Sequence, residues 1–184
     1  MGESLSERLF LAVALSDDVR HGLAAFLVDE TMRLPGRPTP PDNWHLTLRF
    51  LGATDAPARD RILEFLDDHL VVEPFTLGFG TLGAFPKPSR ATVLWLGVDR
   101  GGSETGALAG VCESAAESAG FEPEDRRFHP HVTLSRIRPQ VNVEGLLERV
   151  TKFPLTMTVD RVTLYRSIVG RGGATYDVVD EVLL

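Results

Sequence analysis

The sequence predicts an α+β fold in which two similar lobes face each other across a central cleft, with antiparallel strands lining the cleft and helices outside. Two observations predict it. Strand-like and helix-like segments follow one another in the same order in both halves of the 184-residue chain. A His-x-Thr pattern also occurs once in each half, in "HLTL" (45–48) and in "HVTL" (131–134). We therefore expect a pseudo-twofold axis to relate the two lobes.

The first half reads as strand, helix, strand, helix, strand. Apolar residues at helical spacing predict helices over 17–34 and 57–70, and a Ser-Asp-Asp start signal precedes the first helix. The Pro-rich segment "LPGRPTPPD" then forms a loop. Alternating or continuous apolar runs predict strands over 8–15, 44–52 and 75–83.

The second half repeats this order. A third helix has its apolar positions between Leu108 and Ala119 and ends at Gly120, and a short fourth helix runs from a cap at Asn142 to Val150. The turn "GRGG" precedes the last strand. The predicted strands are 92–98, 131–135, 155–167 and 175–184.

No linker divides the chain, so we expect a single two-lobed domain over 1–184 that is a monomer. With 43% hydrophobic residues the chain can bury a sizeable core. No apolar run approaches the roughly 18 residues of a membrane span. The N-terminal apolar run lacks a basic region before it and a small-residue cleavage site after it, so a signal peptide is not expected. The single cysteine, Cys112, is typical of a reducing compartment and favours a cytoplasmic location.

The net charge of −7 argues against a protein that grips long nucleic acid through many phosphates. A single nucleotide or one RNA end needs only a few local arginines, so those ligands remain compatible with the composition.

The alternation of side chains along a strand gives each His-x-Thr segment a polar face and an apolar face. The apolar positions belong to the core. If the lobes are pseudo-symmetric, the two polar faces meet across one cleft. These faces are His45, Thr47 and Arg49 in the first half, and His131, Thr133 and Ser135 in the second.

Two histidines and two hydroxyls that converge on one cleft suit acid–base catalysis. One imidazole can be protonated while the other is neutral near pH 7. Threonine hydroxyls can donate hydrogen bonds to phosphoryl oxygens and stabilise developing charge. This chemistry needs no metal ion or other cofactor.

The chain resembles the RNA 2′,3′-cyclic phosphodiesterases, also called 2′-5′ RNA ligases, of the two-histidine phosphoesterase superfamily. The resemblance rests on the paired His-x-Thr-x tetrads and extends to "RLFLAVAL", "LGAFPKPSRATVLWLGV", "FHPHVTLSRIR" and "VTLYRS" in the family's order. It implies hydrolysis of a terminal 2′,3′-cyclic phosphate to a 2′-phosphate. It also implies His45 as proton donor, His131 as proton acceptor, and Thr47 and Thr133 as phosphoryl ligands. Ligation would be the same transesterification in reverse.

Five further residues are candidate substrate contacts. The resemblance places Arg136 at the ligand, although strict alternation puts it on the face away from His131, so the strand must twist or end before it. Phe10 is predicted to line the cleft as a base contact. Arg49 shares the polar face of His45, and Tyr165 and Ser167 share a strand face that can line the groove.

Three alternatives stay open at this point. The same two histidines could act on another small cyclic nucleotide or an oligoadenylate, or the fold could be a non-catalytic RNA- or nucleotide-binding module. His129 and His131 lie two residues apart and could bind a metal. The "GFGTLG" segment matches G-x-G-x-x-G, but Pro86 and Pro88 follow where a dinucleotide-binding helix must begin, so we interpret it as a strand. Trp44 and Trp95 are predicted to lie in the core.

Overall fold

The computed structural model describes residues 6–29, 33–171 and 173–184. It contains nine strands and four α-helices within those ranges. The strands are β1 (Glu7–Ala14), β2 (Arg37–Pro38), β3 (His45–Thr54), β4 (Phe75–Phe85), β5 (Ala91–Arg100), β6 (His131–Val141), β7 (Thr156–Val159), β8 (Arg161–Gly170) and β9 (Gly173–Leu183). The helices are α1 (Asp17–Asp29), α2 (Ala56–His69), α3 (Gly102–Ser118) and α4 (Glu144–Leu147). Positions 30–32 of the predicted first helix and Gly172 of the predicted turn lie outside the described residues.

All strand pairs are antiparallel, and the order across the sheet is β7-β4-β5-β6-β3-β1-β8-β9, with β2 paired to β6. The order reads symmetrically outward from β3 and β6, so the predicted two-lobed α+β fold is confirmed. These two central strands pair only at Leu46 and Val132. The two four-stranded halves therefore separate on either side of that contact.

The third strand of each half crosses to the opposite lobe. β4 belongs to the first half of the chain but pairs with β5, and β8 belongs to the second half but pairs with β1. The prediction of one continuous strand over 155–167 is wrong, because this crossing divides the segment into two strands. It is interrupted at Asp160, so that β7 pairs with β4 while β8 pairs with β1 at the other end of the sheet. The apolar positions change parity at this crossing, from Met157 and Val159 to Val162 and Leu164, and the prediction of one strand passed over that change.

The core lies between the sheet and the helices. β1 is buried on both faces, with Leu9, Leu11 and Val13 on one and Phe10 and Ala12 on the other. In α2, Asp55 accepts a hydrogen bond from the backbone N–H of Ala58 at 2.9 Å, which satisfies one of the free donors of the first turn. α2 and α3 pack against each other, and α3 also packs on β3. Within the described ranges no helix is long and apolar enough to cross a membrane.

Candidate active site

The Leu46–Val132 contact brings the two His-x-Thr segments together. These two apolar side chains point into the core. In antiparallel register the residues that flank the pair lie crosswise, His45 opposite Thr133 and His131 opposite Thr47, on the other face. The sequence prediction that the histidines and threonines share one cleft therefore agrees with the geometry.

The backbone and Thr47 hold the ring of His45. Its Nδ1 lies 2.9 Å from the carbonyl oxygen of Asn43, and its Nε2 lies 3.0 Å from Oγ1 of Thr47. A carbonyl can only accept, so Nδ1 carries the proton. In the neutral ring Nε2 then accepts the hydroxyl proton of Thr47 and faces the cleft. Asn43 is itself fixed, because its Nδ2 donates to the carbonyl of Ala174 at 2.7 Å.

His131 is anchored in the same way. Its Nδ1 lies 2.7 Å from the carbonyl oxygen of His129, two residues earlier in the chain. Asn43 has the same position relative to His45. The same reasoning places the proton on Nδ1 and leaves Nε2 as the cleft-facing nitrogen. Both histidines thus present the same nitrogen, in the same tautomer, to one space.

The environment lowers the pKa of both imidazoles. Burial is the main cause for His45, whose pKa falls from 6.5 to about 4, although the hydrogen bond to Asn43 opposes the shift. Burial also lowers the pKa of His131. The positive charge of Arg136 adds to both shifts, and that of His131 adds to the shift of His45. Both rings are therefore mainly neutral at pH 7 in the free protein.

A β-bulge in β3 overturns the predicted position of Arg49. β1 pairs Leu11 with Arg49 but Ala12 with Thr47, so Leu48 is an extra residue and the alternation inverts after it. Arg49 is only 9% exposed and forms an ion pair with Glu113 of α3 at 2.7 Å. It also donates to the carbonyls of Phe50 and Glu122. Arg49 therefore faces α3 and not the cleft.

A matching bulge in β6 explains the conflict over Arg136. β5 pairs Leu94 with Ser135 but Trp95 with Thr133, so Leu134 is the extra residue. Ser135, predicted on the polar face, is instead fully buried and donates to the carbonyl of Pro35. The inversion returns Arg136 to the face of His131, where it is exposed. The strand continues through Arg136. The bulge, and not the expected twist or strand end, places Arg136 on the face of His131.

Phe10 lies on the face of His45 as predicted, but beneath the surface. It is 2% exposed, and its ring centroid lies 4.8 Å from that of His45. Tyr165 stacks on Phe10 at 5.2 Å and lies 6.1 Å from His45. In this structure Phe10 supports the ring of His45 and is not open to a ligand.

Sequence reasoning missed Tyr176 on β9. Its ring meets His45 edge-on at 5.1 Å and Phe10 at 5.0 Å. It pairs across the hairpin with Ser167, so both lie on the face of Tyr165. The signal available was the alternation of "TYDVV", which does not reveal the strand partner.

Trp95 also departs from its predicted role. Trp44 is buried in the core as expected, but Trp95 is only partly buried and lies 6.2 Å from His131. Phe85 meets His131 edge-on at 5.0 Å. A side chain at Gly83 would overlap the Trp95 ring, so a glycine is needed there. The "GFGTLG" segment is part of β4, as predicted.

Of the remaining reactive groups, Cys112 is buried in the core and His129 lies beside His131. Burial raises the pKa of the Cys112 thiol to about 12, which keeps it protonated. His129 and His131 have ring centroids 6.1 Å apart. In the described ranges no group of three or more His, Cys, Asp or Glu residues is arranged to hold a metal ion.

Comparison with known sequences identifies relatives across most of the chain. The family model of the 2′-5′ RNA ligase superfamily matches residues 32–171. The RNA 2′,3′-cyclic phosphodiesterase of Aeropyrum pernix is 35% identical over 153 residues, covering 81% of this chain and 86% of the relative. The RNA 2′,3′-cyclic phosphodiesterase of Escherichia coli is 31% identical over 170 residues, covering 92% of each chain.

Solved structures share the fold. Escherichia coli LigT complexed with 3′-AMP aligns with a TM-score of 0.80 at 28% identity, covering 97% of this chain and 98% of that one. A protein of Thermus thermophilus aligns with a TM-score of 0.78 at 28% identity, covering 96% of this chain and 97% of that one.

Proposed function

The chain belongs to the 2′-5′ RNA ligase superfamily, and we propose that it is a phosphodiesterase that hydrolyses terminal 2′,3′-cyclic phosphates of RNA or nucleotides to 2′-phosphates. The observation that carries this proposal is the pair of histidines whose Nδ1 atoms are bound to backbone carbonyls and whose Nε2 atoms face one cleft. The names of the curated relatives support the substrate class.

In the proposed reaction, water attacks the phosphorus in line with the bond to the ribose 3′-oxygen. His131 accepts the proton of the water at Nε2, the bond between phosphorus and the 3′-oxygen breaks, and His45 gives a proton from Nε2 to that oxygen. The products are a 2′-phosphate and a 3′-hydroxyl. A proton returned from His131 to His45 through solvent completes the cycle.

Because the pKa of His45 is low in the free protein, the substrate must raise it before His45 can act as an acid. The free protein holds His45 neutral at pH 7, whereas a leaving-group acid must carry a proton at Nε2. A cyclic phosphate diester brings one negative charge next to both rings, and a nearby anion raises the pKa of an imidazole. Substrate binding thus supplies the charge that allows one of the two histidines to be protonated.

The other cleft residues support this step without taking the proton. Thr47 and Thr133 donate their hydroxyls to the phosphoryl oxygens, where negative charge increases in the transition state. Arg136 pairs with the same anion through its guanidinium. Tyr165 and Ser167 line the ribose side of the cleft, and Phe10 holds the ring of His45 from below.

The proposal includes a metal-independent reaction, because two imidazoles, two hydroxyls and a guanidinium provide all the proton transfers and charge stabilisation that it needs. The test is hydrolysis of 2′,3′-cyclic mononucleotides and of short cyclic-ended RNA after treatment with EDTA. Retained formation of 2′-phosphates is expected. A loss of activity that added zinc restores would favour a metal site at His129 and His131 instead.

A further inference from the structure

Asn43 lies at the end of a single 3₁₀ turn, Pro41–Asn43, immediately before β3. Its backbone N–H donates to the carbonyl of Pro40 at 2.9 Å, and the side chain of the next residue, Trp44, is buried in the core. Each of the two prolines fixes one φ angle of this segment. The main chain at Asn43 is therefore held in place two residues before His45.

Asn43 joins the ring of His45 to a distant part of the chain. Its carbonyl oxygen lies 2.9 Å from Nδ1 of His45, and its Nδ2 donates to the carbonyl of Ala174 at 2.7 Å. Ala174 lies at the tip of the β8–β9 hairpin, 131 positions along the chain from Asn43. A carbonyl can only accept, so this contact needs the amide nitrogen of the asparagine. The side chain thus ties the hairpin tip to the segment that orients His45.

The hairpin tip covers the ring that Asn43 orients. Tyr176, two residues after Ala174, meets the ring of His45 edge-on at 5.1 Å. The tip also lies against β2, since a Cβ atom at Gly173 would be 2.6 Å from the guanidinium of Arg37. Asn43 therefore acts on the ring of His45 twice, through the carbonyl at Nδ1 and through the segment that carries Tyr176.

His129 has the equivalent position in the other lobe and differs in chemistry. Its carbonyl oxygen lies 2.7 Å from Nδ1 of His131. Its side chain also contacts a hairpin, β4–β5, where its ring centroid lies 5.4 Å from that of Phe85 and 4.9 Å from that of Trp95. Ring packing tolerates small shifts, whereas a hydrogen bond fixes direction as well as distance. The asparagine side is thus the more sensitive of the two.

We propose that Asn43 is a positioning residue of the reaction, which directs Nε2 of His45 at the departing 3′-oxygen. This inference rests on the proposed function, in which His45 protonates that oxygen. Asn43 exchanges no proton itself and acts only through the carbonyl and the hairpin that hold the ring. A displacement of about 1 Å in a reacting group can lower a rate by roughly 10²-fold. Because the proton is transferred only in the transition state, the loss should fall on kcat and leave KM nearly unchanged.

The experiment compares a short RNA that ends in a 2′,3′-cyclic phosphate with its analogue in which sulfur replaces the bridging 3′-oxygen. A thiolate departs without a proton donor, so cleavage of the analogue does not depend on the direction of His45. We expect Asn43→Ala to lower kcat for the oxygen substrate by roughly 10- to 100-fold. The kcat for the sulfur analogue should be nearly unchanged. Asn142→Ala is the matched control, at an exposed asparagine that bonds to Glu144 before α4.

A second variant disturbs the same hydrogen bond from the acceptor side. The φ angle of Gly173 is +124°, which residues with a side chain rarely adopt. Gly173→Ala should therefore displace the adjoining carbonyl of Ala174 and lower kcat for the oxygen substrate alone, as Asn43→Ala does. The double variant should lose no more than the larger single loss, because both changes remove one contact. If Asn43→Ala does not fold, the comparison of the two substrates with Gly173→Ala decides the matter.

The outcomes separate the possibilities. Equal loss on both substrates would assign Asn43 a structural role, and an unchanged kcat in folded Asn43→Ala would exclude positioning. Additive losses in the double variant would show that Asn43 and Gly173 act independently. Each of these results overturns the inference while the proposed function stands. Failure of the wild-type protein to hydrolyse either the oxygen substrate or a 2′,3′-cyclic mononucleotide would overturn the proposed function, and the role of Asn43 with it.

Discussion

The Nε2 atom of His45 lies 3.0 Å from Oγ1 of Thr47, two residues along the same strand. Because Nδ1 of His45 donates to a carbonyl, the ring accepts the threonine proton at Nε2, the nitrogen that transfers a proton in the proposed reaction. No corresponding bond joins Thr133 to His131 in the part of the chain that is described. The two motifs are similar in sequence but differ in their resting hydrogen bonds.

Replacement of either histidine should remove most turnover. We expect His45→Gln and His131→Gln each to lower kcat on a 2′,3′-cyclic substrate by about 10²–10⁴-fold, the usual contribution of general acid or base catalysis. Glutamine fills much of the same space beside Phe10 and Phe85, so both variants should stay folded. His21→Gln, at an exposed position on α1, serves as the control. Near-wild-type rates in either variant, with unchanged melting, would exclude the paired-histidine mechanism.

The division of labour between the histidines can be tested with the leaving group. A substrate with a good leaving group at the ribose 3′-position needs little protonation. Its cleavage should therefore recover far more in His45→Ala than in His131→Ala, as measured by initial rates relative to the natural ester. The reverse pattern would exchange the two roles. Equal loss in both variants would indicate that each ring mainly binds the phosphate.

Stability should fall as the pH drops through the range set by His45. Its pKa in the folded state is about 4, below the ordinary value of 6.5, so the unfolded state binds more protons between these values. The free energy of unfolding should thus decrease from about pH 6.5 towards pH 4, by up to about 1.4 kcal/mol per pH unit for one group. His131, whose pKa is also lowered, acts in the same direction.

Denaturant unfolding at several pH values measures this effect. His45→Gln should flatten the slope in that range, whereas His21→Gln should leave it unchanged. Parallel curves for the wild type and His45→Gln would show that the imidazole of His45 is not buried as the structure has it.

Loss of the Arg49–Glu113 ion pair should affect folding more than substrate binding. Arg49→Met would leave the Glu113 carboxylate and the carbonyls of Phe50 and Glu122 without their partner. Breaking a buried pair costs about 3–5 kcal/mol, and the lower end applies here because Glu113 is partly exposed. Chemical denaturation gives the loss of stability, with Arg59→Met on the surface of α2 as the control. A large rise in KM without a loss of stability would indicate that Arg49 contacts the substrate.

The hydrophobic and polar patterns by themselves determined the two-lobed α+β fold and the convergence of His45 and His131. Each of these follows from local alternation and from the repetition of one pattern in both halves. The period of side chains along a strand is enough to separate a core face from a cleft face wherever the strand is regular.

Only the tertiary structure decided what happens where the strands are irregular. The bulges at Leu48 and Leu134 arise from how β3 and β6 pair with their neighbours, and no residue type marks them in advance. They moved Arg49 and Ser135 into the interior and turned Phe50 and Arg136 to the cleft. The positions of Tyr176 and Trp95 beside the histidines likewise depend on strand partners distant in the chain. A one-residue insertion in a ladder inverts the side chains that follow it up to the next insertion, so the contents of the cleft follow from pairing that the sequence pattern does not contain.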